Sequence, residues 1–102
     1  MAVVVTMDMK GDTQDLLGKY EIVNQHLMSN PAPPQGLIAH FCLKTPDGIR
    51  VSNVWDSEEH ARAGDEDPVL REALAKAQMP PMAPQFFPVH NHFIVSEMKA
   101  GV

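Results

Sequence analysis

At 102 residues and a net charge of -5, the chain supports one packed domain, spanning 1–102, and its eight scattered lysines and arginines form no basic stripe for nucleic acid. Cys42 is the only cysteine, which excludes an internal disulfide and a cysteine metal cluster. No apolar run approaches the ~20 residues that cross a bilayer, and no basic-then-apolar leader opens the sequence, so the expectation is a cytoplasmic protein without a membrane partner.

Ala2 to Met9 is short and rich in β-branched residues, and reads as a first strand. Val3, Val5, Met7 and Met9 fall on one face, Val4 and Thr6 on the other, so both faces begin apolar. Lys10-Gly-Asp-Thr breaks the strand. Asp12 or Thr13 caps a helix in which Leu16, Tyr20, Val23 and Leu27 recur at three-and-four spacing through about Ser29. The prolines between Asn30 and Gly36 forbid helix and make an extended connector.

Gly36 to Ser57 is two β-rich runs around Pro46-Asp47-Gly48, a hairpin in which Gly48 is expected in the left-handed conformation. Counting back from the turn sets Lys44 opposite Ile49, Cys42 opposite Val51, His40 opposite Asn53 and Ile38 opposite Trp55, on one face. Leu37, Ala39, Phe41 and Leu43 then take the other. Cys42, in an apolar strand, reads as a buried and inert thiol.

Ser57 caps a second helix with Glu58 and Glu59 in its first turn, and Gly64-Asp-Glu-Asp interrupts it. Asp67 followed by Pro68 is a fresh start for a segment with Val69, Leu70, Ala73, Leu74 and Ala77 on its apolar face. Met79 to Pro84 is a second proline-rich connector. Phe86 to Val95 reads as the last strand, with Phe86, His90, His92 and Ile94 on one face, and the residues after Glu97 as a loose tail.

Strand, helix, strand, strand, helix, strand is the split βαβ order of a ferredoxin-like α+β fold with a four-stranded antiparallel sheet. Helices cover one face of such a sheet, and strands apolar on both faces call for a second copy packed sheet to sheet.

The element order, Gly36-Leu-Ile-Ala-His40, Trp55-Asp-Ser-Glu-Glu59, Asp67-Pro-Val-Leu-Arg-Glu-Ala-Leu74 and Phe87-Pro-Val-His-Asn91 resemble the dimeric α+β barrel superfamily. The nearest branch is its antibiotic biosynthesis monooxygenase-like group of small proteins. That resemblance implies a homodimer and a pocket between sheet and helices for a small, apolar or aromatic ligand. Among its cofactor-independent oxygenases the pocket is lined by a Trp opening a Trp-x-Ser-x motif, an Arg in the following Leu-Arg-Glu-Ala-Leu helix and an Asn on the third strand. Trp55 and Arg71 match the first two. The Asn falls at Val51, with Asn53 two residues on and on the same face. The haem-degrading branch needs a Trp and a His where this chain has Ala63 and Ala73 or Leu74, so no haem and no other cofactor is expected.

The candidate catalytic residues are His40, Asn53 and Arg71, and the candidate substrate-binding residues are Tyr20, Trp55 and His90. An imidazole exchanges a proton near neutrality, which makes His40 the best general base of the chain. Asn53 would orient it or meet a substrate carbonyl, Arg71 would hold a developing oxyanion, and Trp55 would stack on a flat ligand. Each residue also has a plain packing role: a singly bonded core histidine, a cross-strand hydrogen bond, a surface ion pair to a glutamate, a core anchor. His90 and His92 alternate on one strand face, but with no carboxylate in the set no metal is expected. His26 and His60, on helices, are expected to be solvated. Composition leaves an oxygenase, an isomerase or cyclase, and a non-catalytic ligand-binding or stress-related protein open.

Overall fold

The computed structural model describes residues 1–29 and 32–97. The tail expected after Glu97, and Asn30 and Pro31 of the first connector, lie outside the described residues.

Strand β1 is Val3–Lys10, helix α1 Thr13–Met28, β2 Leu37–Thr45, β3 Gly48–Trp55, helices α2 and α3 Glu58–Asp65 and Pro68–Lys76, and β4 Gln85–Pro88; a single 3-10 turn follows at Val95–Glu97. The strands form one antiparallel sheet in the order β2-β3-β1-β4, the ferredoxin-like arrangement. Helix starts follow the local chemistry. Asp12 accepts the Asp15 N–H, Ser57 the His60 N–H and Asp67 the Val69 N–H, each satisfying a donor that the first turn leaves free.

Every second residue of the two central strands points at the helices. Val3, Val5 and Met9 of β1 and Ile49, Val51 and Trp55 of β3 are buried there, against Leu16 and Val23 of α1, Ala61 of α2 and Ala73 of α3. Thr13 ties α1 to the hairpin, its hydroxyl directed at the Thr45 and Gly48 carbonyls, each at 3.1 Å.

Three expectations are corrected. Gly48 does not adopt a left-handed φ. The position needs glycine because a Cβ there would collide with the Met9 carbonyl oxygen of the neighbouring strand. The hairpin register holds from Lys44–Ile49 through His40–Asn53, but a bulge between Leu37 and Ala39 places Leu37, not Ile38, opposite Trp55. That extra residue turns Leu37 to the helix side, where it packs on Val3, Val5, Trp55 and Ala61.

The last strand ends at Pro88, well short of Val95. Pro88 is opposite Val3, the first residue of β1, and the Val89 N–H reaches the Ala2 carbonyl at 2.9 Å. Beyond that point β1 offers no further partner, so His90 and His92 stand outside the sheet and exposed.

Among the described residues no helix is long and apolar enough to cross a membrane.

Candidate functional site

A cavity of about 270 Å³ lies between the sheet and the helices. Its wall is mostly apolar: Met7 and Met9 from β1, Val23 from α1, Trp55 from β3, and Met79 and Met82 from the connector before β4. The four thioethers make that wall deformable and polarisable, suited to ligands of imprecise shape.

Three polar side chains meet at the β2 edge of the cavity. His40 and Asn53 are cross-strand partners on the helix-facing side, and Tyr20 comes down from the inward stripe of α1. His40 Nδ1 and Asn53 Oδ1 are 2.6 Å apart, and His40 Nε2 and the Tyr20 hydroxyl 2.6 Å. A carboxamide oxygen only accepts, so Nδ1 carries the imidazole proton and Nε2 is left with a lone pair for the Tyr20 O–H. The two rings are parallel within 5° with centroids 5.9 Å apart. The result is a directed chain, Tyr20 to His40 to Asn53. His40 is exposed at its centre, while Tyr20 and Asn53 are half-buried.

Burial pushes the Tyr20 hydroxyl above its usual range, with Cys42 and Glu21 adding repulsion for the phenolate. Tyr20 therefore stays protonated as the donor to His40. Burial likewise raises the Cys42 thiol, with Glu21 adding to it, which suits a packed thiol better than a nucleophile.

Arg71 lines the cavity where α2 gives way to α3. Its Nε donates to the Asp65 carbonyl at 3.1 Å and its terminal nitrogen lies 3.7 Å from the Asp65 carboxylate, so its partner is an aspartate of the α2 end and not a surface glutamate. Trp55 is buried and lines the cavity with its neighbours Ala61 and Gly64. His90 is the exception among the six candidates, standing past the end of β4 and away from the cavity lining. His60 is held rather than solvated, 2.6 Å from Asp56, whose carboxyl is kept below its ordinary value chiefly by that hydrogen bond. His26 lies 4.0 Å from Glu72. Among the described residues no cluster of His, Cys, Asp and Glu could hold a metal ion.

Sequence reasoning missed the pairing of Tyr20 with His40 and the part of Met79 and Met82 in the wall. The signal for the first was the placement of Tyr20 on the same helical stripe as Leu16, Val23 and Leu27. The connector gave none, because which of its residues turn inward depends on where α3 ends.

No family model matches the sequence, and no curated protein matches it. Solved structures do. One is a protein of Chloroflexus aurantiacus J-10-fl assigned to the antibiotic biosynthesis monooxygenases, at 19% identity and TM-score 0.67 over 92% of this chain and 99% of the other. A monooxygenase from the gene ActVA-Orf6 of Streptomyces coelicolor, in complex with nanaomycin D, is similar at 19% identity and TM-score 0.67 over 91% and 90%. The fold is the one these antibiotic biosynthesis monooxygenase-like structures share. SnoaB of Streptomyces nogalater, a cofactor-independent oxygenase, is similar at 16% identity and TM-score 0.57 over 89% and 93%. At such identities the likeness is one of fold, and chemistry must be argued from the side chains.

Proposed function

We propose that this protein is a cofactor-independent monooxygenase of a small, flat hydroxyaryl compound, working in the cytoplasm as a homodimer. The observation that carries the reading is the Tyr20–His40–Asn53 chain at the edge of an apolar cavity. The volume, near the lower end of the ~300–1,000 Å³ usual for ligand sites, suits a molecule of two or three fused rings.

The substrate hydroxyl gives its proton to the Tyr20 oxygen as the Tyr20 proton passes to His40 Nε2. The imidazolium keeps its Nδ1–H on Asn53 Oδ1, which holds the ring in place. Deprotonation raises the electron density of the aromatic ring, and the aryloxide gives one electron to dioxygen. The resulting radical and superoxide combine at a ring carbon. The peroxide anion takes the proton back from the His40 imidazolium through Tyr20 and, with loss of the ring C–H proton, expels water to leave a quinone, so that hydroxyarene and O2 become quinone and H2O and His40 is neutral again. Trp55 offers a face for stacking, and Arg71, tethered to Asp65, is placed to offset negative charge on a substrate oxygen.

The sheet face turned away from the helices supports the homodimer. It presents Phe41, Leu43 and Phe87, each about half exposed, on the side where α1, α2 and α3 do not reach. A second copy packed there would remove this apolar area from water.

Oxygen uptake with a panel of hydroxynaphthalenes and hydroxyanthracenes tests the reading. Wild type should consume oxygen with at least one of them, and Tyr20→Phe should slow that reaction by at least tenfold. Uptake with none of the panel, or unchanged uptake in Tyr20→Phe, would contradict it.

One observation favours a second reading: both imidazole nitrogens of His40 are already bonded within the protein. In a non-catalytic ligand-binding protein that bonding would be purely structural, and ligand affinity would be flat with pH across the imidazole range.

A further inference from the structure

Resting on the proposed ligand cavity, we infer that Gly64 is the residue that positions Trp55 and so sets the width of the cavity, making it a specificity determinant of the site.

Gly64 lies inside α2, where glycine is a poor choice for helix formation and no unusual backbone angle requires it. Its reason is spatial. A Cβ there would overlap Cη2 of the Trp55 indole and lie 2.7 Å from Cζ2, closer than real Cβ contacts come. The helix thus rests on the outer edge of the indole through a bare backbone. Ala61, one turn earlier, is also small and buried against the Trp55 cluster.

Trp55 has little freedom elsewhere. It is flanked across the sheet by Val3 and Leu37 and is only 6% exposed. A ring pushed off α2 has one place to go, the cavity that Trp55 and Gly64 both line. A side chain at 64 therefore narrows the cavity from the α2 side while leaving Tyr20, His40 and Asn53, which belong to α1, β2 and β3, where they are.

Trp55 is the only tryptophan, so its fluorescence reports the ring alone. The experiment compares wild type, Gly64→Ala and Gly64→Ala/Trp55→Phe. Acrylamide quenching of Trp55 is read in the first two. Equilibrium dialysis with 2-naphthol (two rings) and 2-hydroxyanthracene (three rings) is read in all three.

Gly64→Ala should raise the quenching constant at least twofold. It should weaken 2-hydroxyanthracene at least tenfold while changing 2-naphthol less than threefold, and the smaller ring of the double variant should restore the larger probe. Unchanged quenching overturns the positioning of Trp55 by Gly64. Equal loss of both probes without rescue overturns the specificity role and marks a general structural defect. Wild type that binds neither probe defeats the ligand-cavity reading and the specificity role with it; quenching still decides the positioning of Trp55.

Discussion

The two faces of the sheet carry comparable apolar side chains and organise their polar groups in opposite ways. On the helix-facing side the core is apolar through Val5, Ile49 and Val51, and the polar groups are gathered at one edge into the Tyr20–His40–Asn53 chain. On the open side the polar groups hold the middle. Thr6 and Ser52 bond at 2.8 Å, Arg50 grips Asp8 through two bonds of 2.6 and 3.1 Å, and Phe41, Leu43 and Phe87 lie on the outer strands. A polar cluster at the mouth of a cavity can meet a small molecule, whereas on the open face it is the apolar side chains flanking the polar centre that a broad partner would take from water.

The largest effect is expected at His40. His40→Ala should lower oxygenase turnover by ~10²–10⁴-fold, the usual worth of a general base, while thermal unfolding moves by no more than about 1 kcal/mol because the residue is exposed. Equal losses of activity and stability would mean the chain is structural. In the core beneath, Ile49→Ala should cost about 2–5 kcal/mol in urea unfolding, since Ile49 is 1% exposed and its cavity has little room to collapse. That loss should not vary with protein concentration.

The open face should behave differently. Phe41→Asp is expected to shift sedimentation from dimer to monomer and to abolish any dependence of Tm on concentration. Wild type that sediments as a monomer would remove the docking role of this face.

The smallest effect is electrostatic. The hydrogen bond from Arg50 holds the Asp8 carboxyl below its ordinary value, against a partial opposing effect of desolvation, with attraction to Arg50 and Lys10 adding to the shift. A depressed carboxylate contributes stability above its unfolded pKa of ~3.9 and loses it as pH falls through the folded value. Wild type should therefore lose a slight increment of stability below about pH 4 that Asp8→Asn does not. Identical profiles would show that solvent screens the pair completely.

What the sequence made legible follows the range of the forces involved. The caps at Asp12, Ser57 and Asp67 act within three residues, and they are where local chemistry puts them. His40 opposite Asn53 needed only a count from a two-residue turn. The bulge at Ile38 did not show, because it is settled by Leu37 packing between Val3 and Ala61 from distant segments. Nor did the early end of β4, since the limit is the start of β1, eighty-odd residues upstream. Of the candidate site, the strand residues could be grouped from alternation. The stripe that Tyr20 shares with Leu16, Val23 and Leu27 turned it inward, but which strand residue it reaches, Arg71 turning to Asp65, and the methionines of the last connector depend on how helices seat on the sheet, which no local pattern encodes.

The most direct test of the Tyr20–His40–Asn53 chain as a proton acceptor is the ionisation of a bound hydroxyarene. Absorbance titration of 2-naphthol under saturating wild type and under His40→Ala separates naphthol from naphtholate without requiring turnover. Wild type should lower the apparent pKa of the bound hydroxyl by at least one unit relative to His40→Ala. The same pKa in both would contradict it, leaving His40 a structural link between Tyr20 and Asn53.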